Sequence, residues 1–356
     1  MTDPHHLSWA PRFPAGTNFG VAVIGCGSIV REAHLPAYAK YGVNVVGAYD
    51  IAPEVVALAR SVWPFPKAYD ALDALLADPA VHIVDIATHP AERVALIERA
   101  LSAGKHVLSQ KPFAPSLAGA RYLAQLAEAR QLKLAVNQNG RWNPPWRVST
   151  QLVEGGWLGD VTAVTHIFDT SFAWITQRVF NTVPHWAIYD YAIHWIDITT
   201  CWLGAKTPVA VRAREYRLAQ QPQASIAPWG MWIEIEYADG SSALIRAAGD
   251  AKTTRGGHPF WIHGASGTVR GSAGQDFVTW EDVAGERGTF HYPLSGSWFP
   301  DGFGGTMGEL QCAIAEDRAP SNSARNNLLT LELTLAACAS AERDGAPVRL
   351  ASATNA

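Results

Sequence analysis

Asp190, His194 and Asp197 recur at +4 and +3 in the chain, a spacing that stacks them on one face of a helix. An imidazole beside a carboxylate can take a proton from a hydroxyl or return it, the acid fixing its tautomer. Ile188, Ala192, Trp195, Ile196, Ile198 and Trp202 spread around the same stretch, so the helix over 186–202 is expected to be largely buried. Unpaired charge there would cost several kcal/mol, roughly. The functional reading makes His194 the proton acceptor or donor and Asp190 the acid that orients it. A satisfied interhelical polar network is the competing reading. A metal site is a third, but no further ligand has convincing spacing, so no metal is expected. His185 lies one turn before Asp190 and joins them as a candidate substrate contact.

A second group could hold a dinucleotide. Gly25-Cys26-Gly27 follows an apolar run and opens a helix, with Gly25 for the tight turn and Gly27 for close approach of a pyrophosphate. Ser28 and Ile29 complete the candidate turn, and Val30 stands where the fingerprint has glycine or alanine. An ordinary loop between strand and helix is the alternative. Asp50, 23 residues after Gly27, ends the next apolar run. A carboxylate there binds the ribose 2′-hydroxyl and repels a 2′-phosphate. Ile51, Ala52 and Pro53 supply no cation, so NAD is expected rather than NADP.

Lys111 precedes a proline in Ser109-Gln110-Lys111-Pro112-Phe113, at the carboxyl end of an expected parallel strand, where such sheets bind ligands. A surface lysine in a turn is the plain alternative. Thr88, Gln110 and Lys111 complete the cofactor set. Asn139, Arg141 and Trp142 follow a further strand and are candidate substrate contacts, although asparagines at strand ends often only form turns.

The elements that must position these residues fall into two textures. From Phe19 to about Asn139, strands near 21–24, 43–49, 81–87, 106–108 and 132–136 alternate with helices near 29–41, 53–61, 91–102 and 117–129, the pattern of parallel, doubly wound units. Beyond Trp142 come consecutive aromatic-rich strands near 161–168, 231–237, 242–247, 260–263 and 277–280, which point to an antiparallel sheet. Helices near 186–202, 305–317 and 324–343 interrupt it. The expected domains are a loose leader over 1–18, a dinucleotide-binding domain over 19–140 and a substrate-binding α+β domain over 141–356. The helix over 324–343 is a candidate for packing back on the first domain. Substrate specificity is expected in loops around 141–147, 169–185 and 252–260.

Composition bounds the function. The 356 residues suit two domains, and a 48% hydrophobic, 17% charged chain is not disordered. A net charge of -4 argues against nucleic-acid and anionic-membrane surfaces. Cys26, Cys201, Cys312 and Cys338 form no C-x-x-C pair, so a reducing cytoplasm is the default. No signal peptide or membrane helix is expected. Of 14 tryptophans only Trp9 and Trp63 precede residue 140. Of the later ones, Trp142, Trp146, Trp174 and Trp186 lie beside the expected cleft and offer indole faces to a ligand, though most would be structural.

Together these segments resemble the Gfo/Idh/MocA family, the glucose–fructose oxidoreductase and inositol dehydrogenase type. Ala103-Gly104-Lys105-His106-Val107-Leu108-Ser109-Gln110-Lys111-Pro112 is similar to its A-G-K-H-V-L-x-E-K-P, and Asp190-x3-His194-x2-Asp197 to its D-x3-H-x2-D. The likeness runs from about Phe19 to Leu350. It implies an α/β protein with an N-terminal Rossmann doubly wound parallel sheet and a C-terminal α+β domain on a large open, mainly antiparallel sheet. It implies NAD-dependent oxidation or reduction of a sugar, sugar acid or cyclitol, with Lys111, Asp190 and His194 in the catalytic roles. A homo-oligomer through the open sheet would cover its exposed face. Gln110 departs from the family glutamate and removes a charge beside the nicotinamide; Arg93 stands where many members have histidine. An NAD-recycling lyase or glycosidase, or a non-catalytic nucleotide sensor, are the alternatives.

Overall fold

Short, mainly apolar strands build the first unit of this computed structural model, which describes residues 4, 6–204, 206–250, 257–273, 277–282 and 289–350. That unit comprises residues 10–142 and 297–328. Its strands are β1 (Val21–Ile24), β2 (Val45–Tyr49), β3 (Lys67–Ala68), β4 (Ile83–Ile86), β5 (His106–Ser109) and β6 (Leu134–Val136). They pair in parallel in the order β3-β2-β1-β4-β5-β6, the doubly wound order of dinucleotide-binding sheets. Both central strands, β1 and β4, are buried at every residue, as inner parallel strands must be.

Helices α1 (Leu35–Tyr41), α2 (Pro53–Val62), α3 (Leu72–Ala77), α4 (Pro90–Ser102) and α5 (Leu117–Ala129) connect them. A π turn, Val30–His34, precedes α1, and Gly42 ends α1 in the left-handed conformation (φ 68°), as a C-terminal glycine does. The sequence pattern did not indicate β3 and α3: a two-residue strand and a six-residue helix leave too little periodicity to read.

Two expectations about boundaries change. Residues 297–328 belong with the first unit, because Phe303, Met307 and Leu310 of the helix Phe303–Ala315 share a core with Val23, Leu108 and Ala135. Nor is the stretch 10–18 loose: Phe13 stacks on Tyr41 at 5.6 Å, and the Arg12 carbonyl receives Cys312 Sγ at 3.7 Å. Residues 1–3 and 5 of that leader lie outside the described residues.

The second unit comprises the residues before 10, 143–296 and those from 329. It holds α6 (Pro144–Glu154), β7 (Val161–Asp169), α7 (Ile193–Leu203), β8 (Pro208–Tyr216), β9 (Gly230–Tyr237), β10 (Ser242–Ala248), β11 (Pro259–Gly264), β12 (Gly267–Ser272), β13 (Phe277–Asp282), β14 (Thr289–Pro293) and β15 (Val348–Arg349). The sheet order is β14-β13-β12-β11-β7-β10-β9-β8-β15. β7 and β10 pair in parallel; the other pairs are antiparallel. Along β10, Ala243, Ile245 and Ala247 point inward while Ser242, Leu244 and Arg246 face solvent, the period of two that a half-buried strand needs.

Inside this unit Phe168, Trp195, Trp146 and Trp202 stack edge and face at 4.1–6.5 Å, and Trp202 donates its indole N–H to Thr150 Oγ1 at 2.9 Å. On the outer face Arg212 pairs with Glu236 at 3.0 Å and Arg270 with Glu281 at 2.7 Å. Pro144 and Pro145 open α6, where proline is tolerated because the first-turn N–H groups have no partner.

Candidate active site

The glycine turn has the geometry a pyrophosphate needs. Gly25 adopts φ +87°, and a Cβ there would sit 3.0 Å from the Ala87 carbonyl carbon and oxygen. Gly27 is exposed, and a Cβ on it would meet nothing within 4 Å. Beside the turn, Asp50 accepts the Cys26 N–H on Oδ2 at 2.8 Å and the Ala52 N–H on Oδ1 at 3.0 Å. Two backbone donors therefore aim the carboxylate at the end of β2, and each oxygen keeps a lone pair for a ribose hydroxyl. Ser28 and Ile29 stay half-buried at the start of the following turn. Burial first, and then the Asp50 charge, push the Cys26 thiol up to about 12, so it is no nucleophile. These residues fit a bound dinucleotide.

Lys111 follows β5, half-buried, with a cis bond to Pro112. Its surroundings correct one expectation. Gln110 does not turn outward to a cofactor: it is 5% exposed, its amide nitrogen lies 2.8 Å from His34 Nε2, and its Oε1 accepts the Lys111 N–H at 3.1 Å. Arg93 fastens the same loop from the other side, donating to the Pro112 carbonyl and, through Nε at 2.9 Å, to that of Thr88. Thr88, half-buried, is thereby tied to the loop that carries Lys111. The sequence marked Arg93 only as a departure from the family histidine, and sequence reading missed His34. His34 shares a helical face with the apolar Val30 and Tyr38, four residues to either side, and that was the available signal.

Asp190 and His194 belong to the second unit. The helix that carries them begins as a π turn, Ala187–Ala192, and continues as α7; such wide turns recur at functional sites. Asp190 is half-buried and His194 8% exposed. Asp197 is 1% exposed and accepts the Thr330 hydroxyl at 2.9 Å, so the third residue of the spacing joins α7 to the helix Ala324–Ala341. Among the described residues no three His, Cys, Asp or Glu side chains gather as metal ligands.

The other expected substrate contacts have structural partners. Both ring nitrogens of His185 face carboxylates, Nδ1 to Glu215 at 2.6 Å and Nε2 to Glu342 at 3.3 Å. Asn139 accepts the Trp298 indole N–H at 2.6 Å, and Arg141 donates to the Ser321 carbonyl at 2.7 Å. Trp142 is 7% exposed and lies over Gly305, where a Cβ would come within 2.1 Å of its ring. These three residues hold the segment 297–321 within the first unit. Trp146 and Trp186 are wholly buried, whereas Trp174 is 48% exposed. Residues 251–256, most of one expected specificity loop, lie outside the described residues.

Sheet order, glycine turn and aimed Asp50 together define a nucleotide-binding α/β protein with a second, sheet-based domain. Residues 19–138 match the model of an oxidoreductase family with an NAD-binding Rossmann fold, and residues 138–270 match the GFO/IDH/MocA C-terminal domain. The chain belongs to the Gfo/Idh/MocA family of oxidoreductases. It is 33% identical over 159 residues to an uncharacterized oxidoreductase of Schizosaccharomyces pombe, which is 44% of this chain and 43% of that one. It thus spans less than half the length of that relative. It is 27% identical to a D-apiose dehydrogenase of Paraburkholderia graminis over 94% of this chain and 90% of that protein. The fold matches that of an oxidoreductase from Agrobacterium radiobacter in complex with NAD+, L-tartaric acid and magnesium, with a TM-score of 0.82 at 23% identity, over 94% of this chain and 98% of the other.

Proposed function

We propose that this protein is an NAD-dependent dehydrogenase acting on a hydroxyl or carbonyl carbon of a sugar, sugar acid or cyclitol. The observation that carries the reading is Asp50, aimed by the Cys26 and Ala52 N–H groups beside a glycine turn whose outer side is open. A carboxylate there accepts from a ribose 2′-hydroxyl and repels a 2′-phosphate, which favours NAD over NADP. Gly25, Gly27, Ser28 and Ile29 would hold the pyrophosphate, with Thr88 and Lys111 near the nicotinamide end. Relatives named D-apiose dehydrogenase support a sugar-like substrate.

Bound NAD would supply the hydride acceptor. His194 takes the proton from the substrate hydroxyl as the carbon is oxidised, and Asp190 supports the imidazolium that forms. The Lys111 ammonium donates a hydrogen bond to the same oxygen and stabilises its developing negative charge. Lys111→Ala and His194→Ala are each expected to lower kcat at least roughly a hundredfold. Near-normal turnover in either variant, with NAD still bound, removes the assigned role.

An absorbance screen at 340 nm against aldoses, sugar acids, cyclitols and anhydro-sugars tests the whole reading. Stoichiometric NADH formation is expected. Substrate consumption at flat absorbance would instead mark a redox-recycling lyase or hydrolase. We also infer a cytoplasmic homo-oligomer joined through the outer face of the nine-stranded sheet; a monomeric mass by light scattering would dispose of that association.

A further inference from the structure

Behind Lys111 lies a closed chain of polar groups whose donors and acceptors can be assigned one by one. Gln110 Oε1 accepts the Lys111 N–H at 3.1 Å, which sets the orientation of the amide. Its NH2 group therefore faces His34 Nε2, 2.8 Å away. An amide NH2 only donates, so Nε2 is an acceptor and the ring proton sits on Nδ1. Nδ1 donates to Asp85 Oδ2 at 2.7 Å, and the Tyr38 hydroxyl donates to the same oxygen at 2.6 Å. Asn137 Nδ2 lies 3.4 Å from His34 Nε2, while its Oδ1 accepts the Thr306 hydroxyl at 2.7 Å.

This chain is sealed from water, with His34 and Asp85 at 0% exposure and Gln110 at 5%. The groups that face His34 come from every element around it. They are Tyr38 of α1, Asp85 of β4, Gln110 after β5, Asn137 after β6 and the Phe303 ring at 4.8 Å. Asp85 is the one carboxylate among them. A glutamate at 110 would place a second carboxylate against Nε2, with nothing to donate unless the ring gained a second proton.

We propose that Asp85, His34 and Gln110 are positioning residues for Lys111: a hydrogen-bond chain of fixed direction that anchors the lysine's main chain at the end of β5 and holds the His34 ring proton on Nδ1. The inference rests on the catalytic reading of Lys111 and deepens it, because it makes Gln110 a working part of the site instead of a lost charge. It assigns to Gln110 two bonds of opposite sense that a carboxylate cannot make together.

Histidine 15N spectra of the full chain test the direction of that chain. In the wild type His34 is expected to carry its proton on Nδ1, which faces Asp85, and none on Nε2, which faces the Gln110 amide. In Gln110→Glu a carboxylate replaces that donor, and Nε2 should be protonated in spectra taken at the same pH. Both nitrogens protonated in the wild type, or an unchanged ring in the variant, overturns the proposal. Hydrogen exchange tests the anchoring. His34→Ala, with His34→Gln in reserve should alanine unfold the chain, should speed exchange of the Lys111 amide at least roughly tenfold while β1 amides stay protected. Unchanged protection at Lys111 again overturns it. On any sugar found to turn over, Gln110→Glu should lower kcat with the KM for NAD within about twofold of the wild type. If the wild type turns over no substrate, the dehydrogenase reading fails alone, and the spectra and exchange still decide the hydrogen-bond chain.

Discussion

His34 and His185 each face a carboxylate, and the difference between them lies in the second neighbour. His34, in the first unit, has Asp85 on one nitrogen and the amide of Gln110 on the other. His185, in the second, has Glu215 on one and Glu342 on the other. An amide donor opposite the acid requires a bare ring nitrogen, so His34 keeps one proton. A second carboxylate rewards a second proton, and the His185 pKa is raised, the bond to Glu215 contributing most and burial opposing it. A histidine–carboxylate contact alone therefore does not say whether the ring is charged. The partner across the ring decides.

The largest expected effect comes from breaking the buried pair. His34→Leu would leave the wholly buried Asp85 with only Tyr38 to bind it, and uncompensated buried charge costs about 3–5 kcal/mol. Urea unfolding should show that loss, and His34→Leu with Asp85→Leu should recover part of it. If the double variant is no better than the single, the cost comes from packing and not from stranded charge. Gly25→Ala comes next. At φ +87° with the Ala87 carbonyl 3.0 Å from the new Cβ, about 1–2 kcal/mol is expected, with weaker NAD binding by calorimetry. In the second unit Asp197→Ala is expected to cost about 1 kcal/mol by removing the 2.9 Å acceptor of the Thr330 hydroxyl, which keeps only the longer contact to Thr200 Oγ1 at 3.4 Å. Asp197→Asn keeps the acceptor and should cost far less in the same melt.

How much of this was legible depended on range. The tight turn at Gly25 and Gly27 and the place of Asp50 at the end of β2 could be read because a turn, a helix start and a strand end lie within 26 residues of one another. The apolar strands and the helix Leu117–Ala129 were equally plain. Asp85 and His34 are 51 positions apart and meet only through sheet order, which spacing does not encode. The partners of Asn139, Arg141 and Trp142 were hidden for the same reason: Trp298, Ser321 and Gly305 lie far downstream. The π turns at Val30–His34 and Ala187–Ala192 also escaped a search at 3.6 residues per turn. Polarity at a strand end thus marked where a contact is made without telling a ligand from a strap.

His185 offers the smallest test, and its sign can be worked out. Its pKa in the folded protein lies above the ordinary 6.5, so the folded state holds the proton more tightly than the unfolded chain. The stabilisation is then complete below about pH 6.5 and is lost as pH rises through the folded-state pKa. The side chain is 22% exposed and Glu342 66% exposed, so solvent screening keeps the effect under about 1 kcal/mol. His185→Asn suits the left-handed backbone at φ 50° while removing the titrating ring. Melting temperatures measured from pH 6 upward should fall less steeply in this variant than in the wild type. The slope carries the information, because any packing loss shifts both ends of the curve alike. Equal slopes would mean that Glu215 and Glu342 do not hold a charged imidazole, and the contrast with His34 would then collapse.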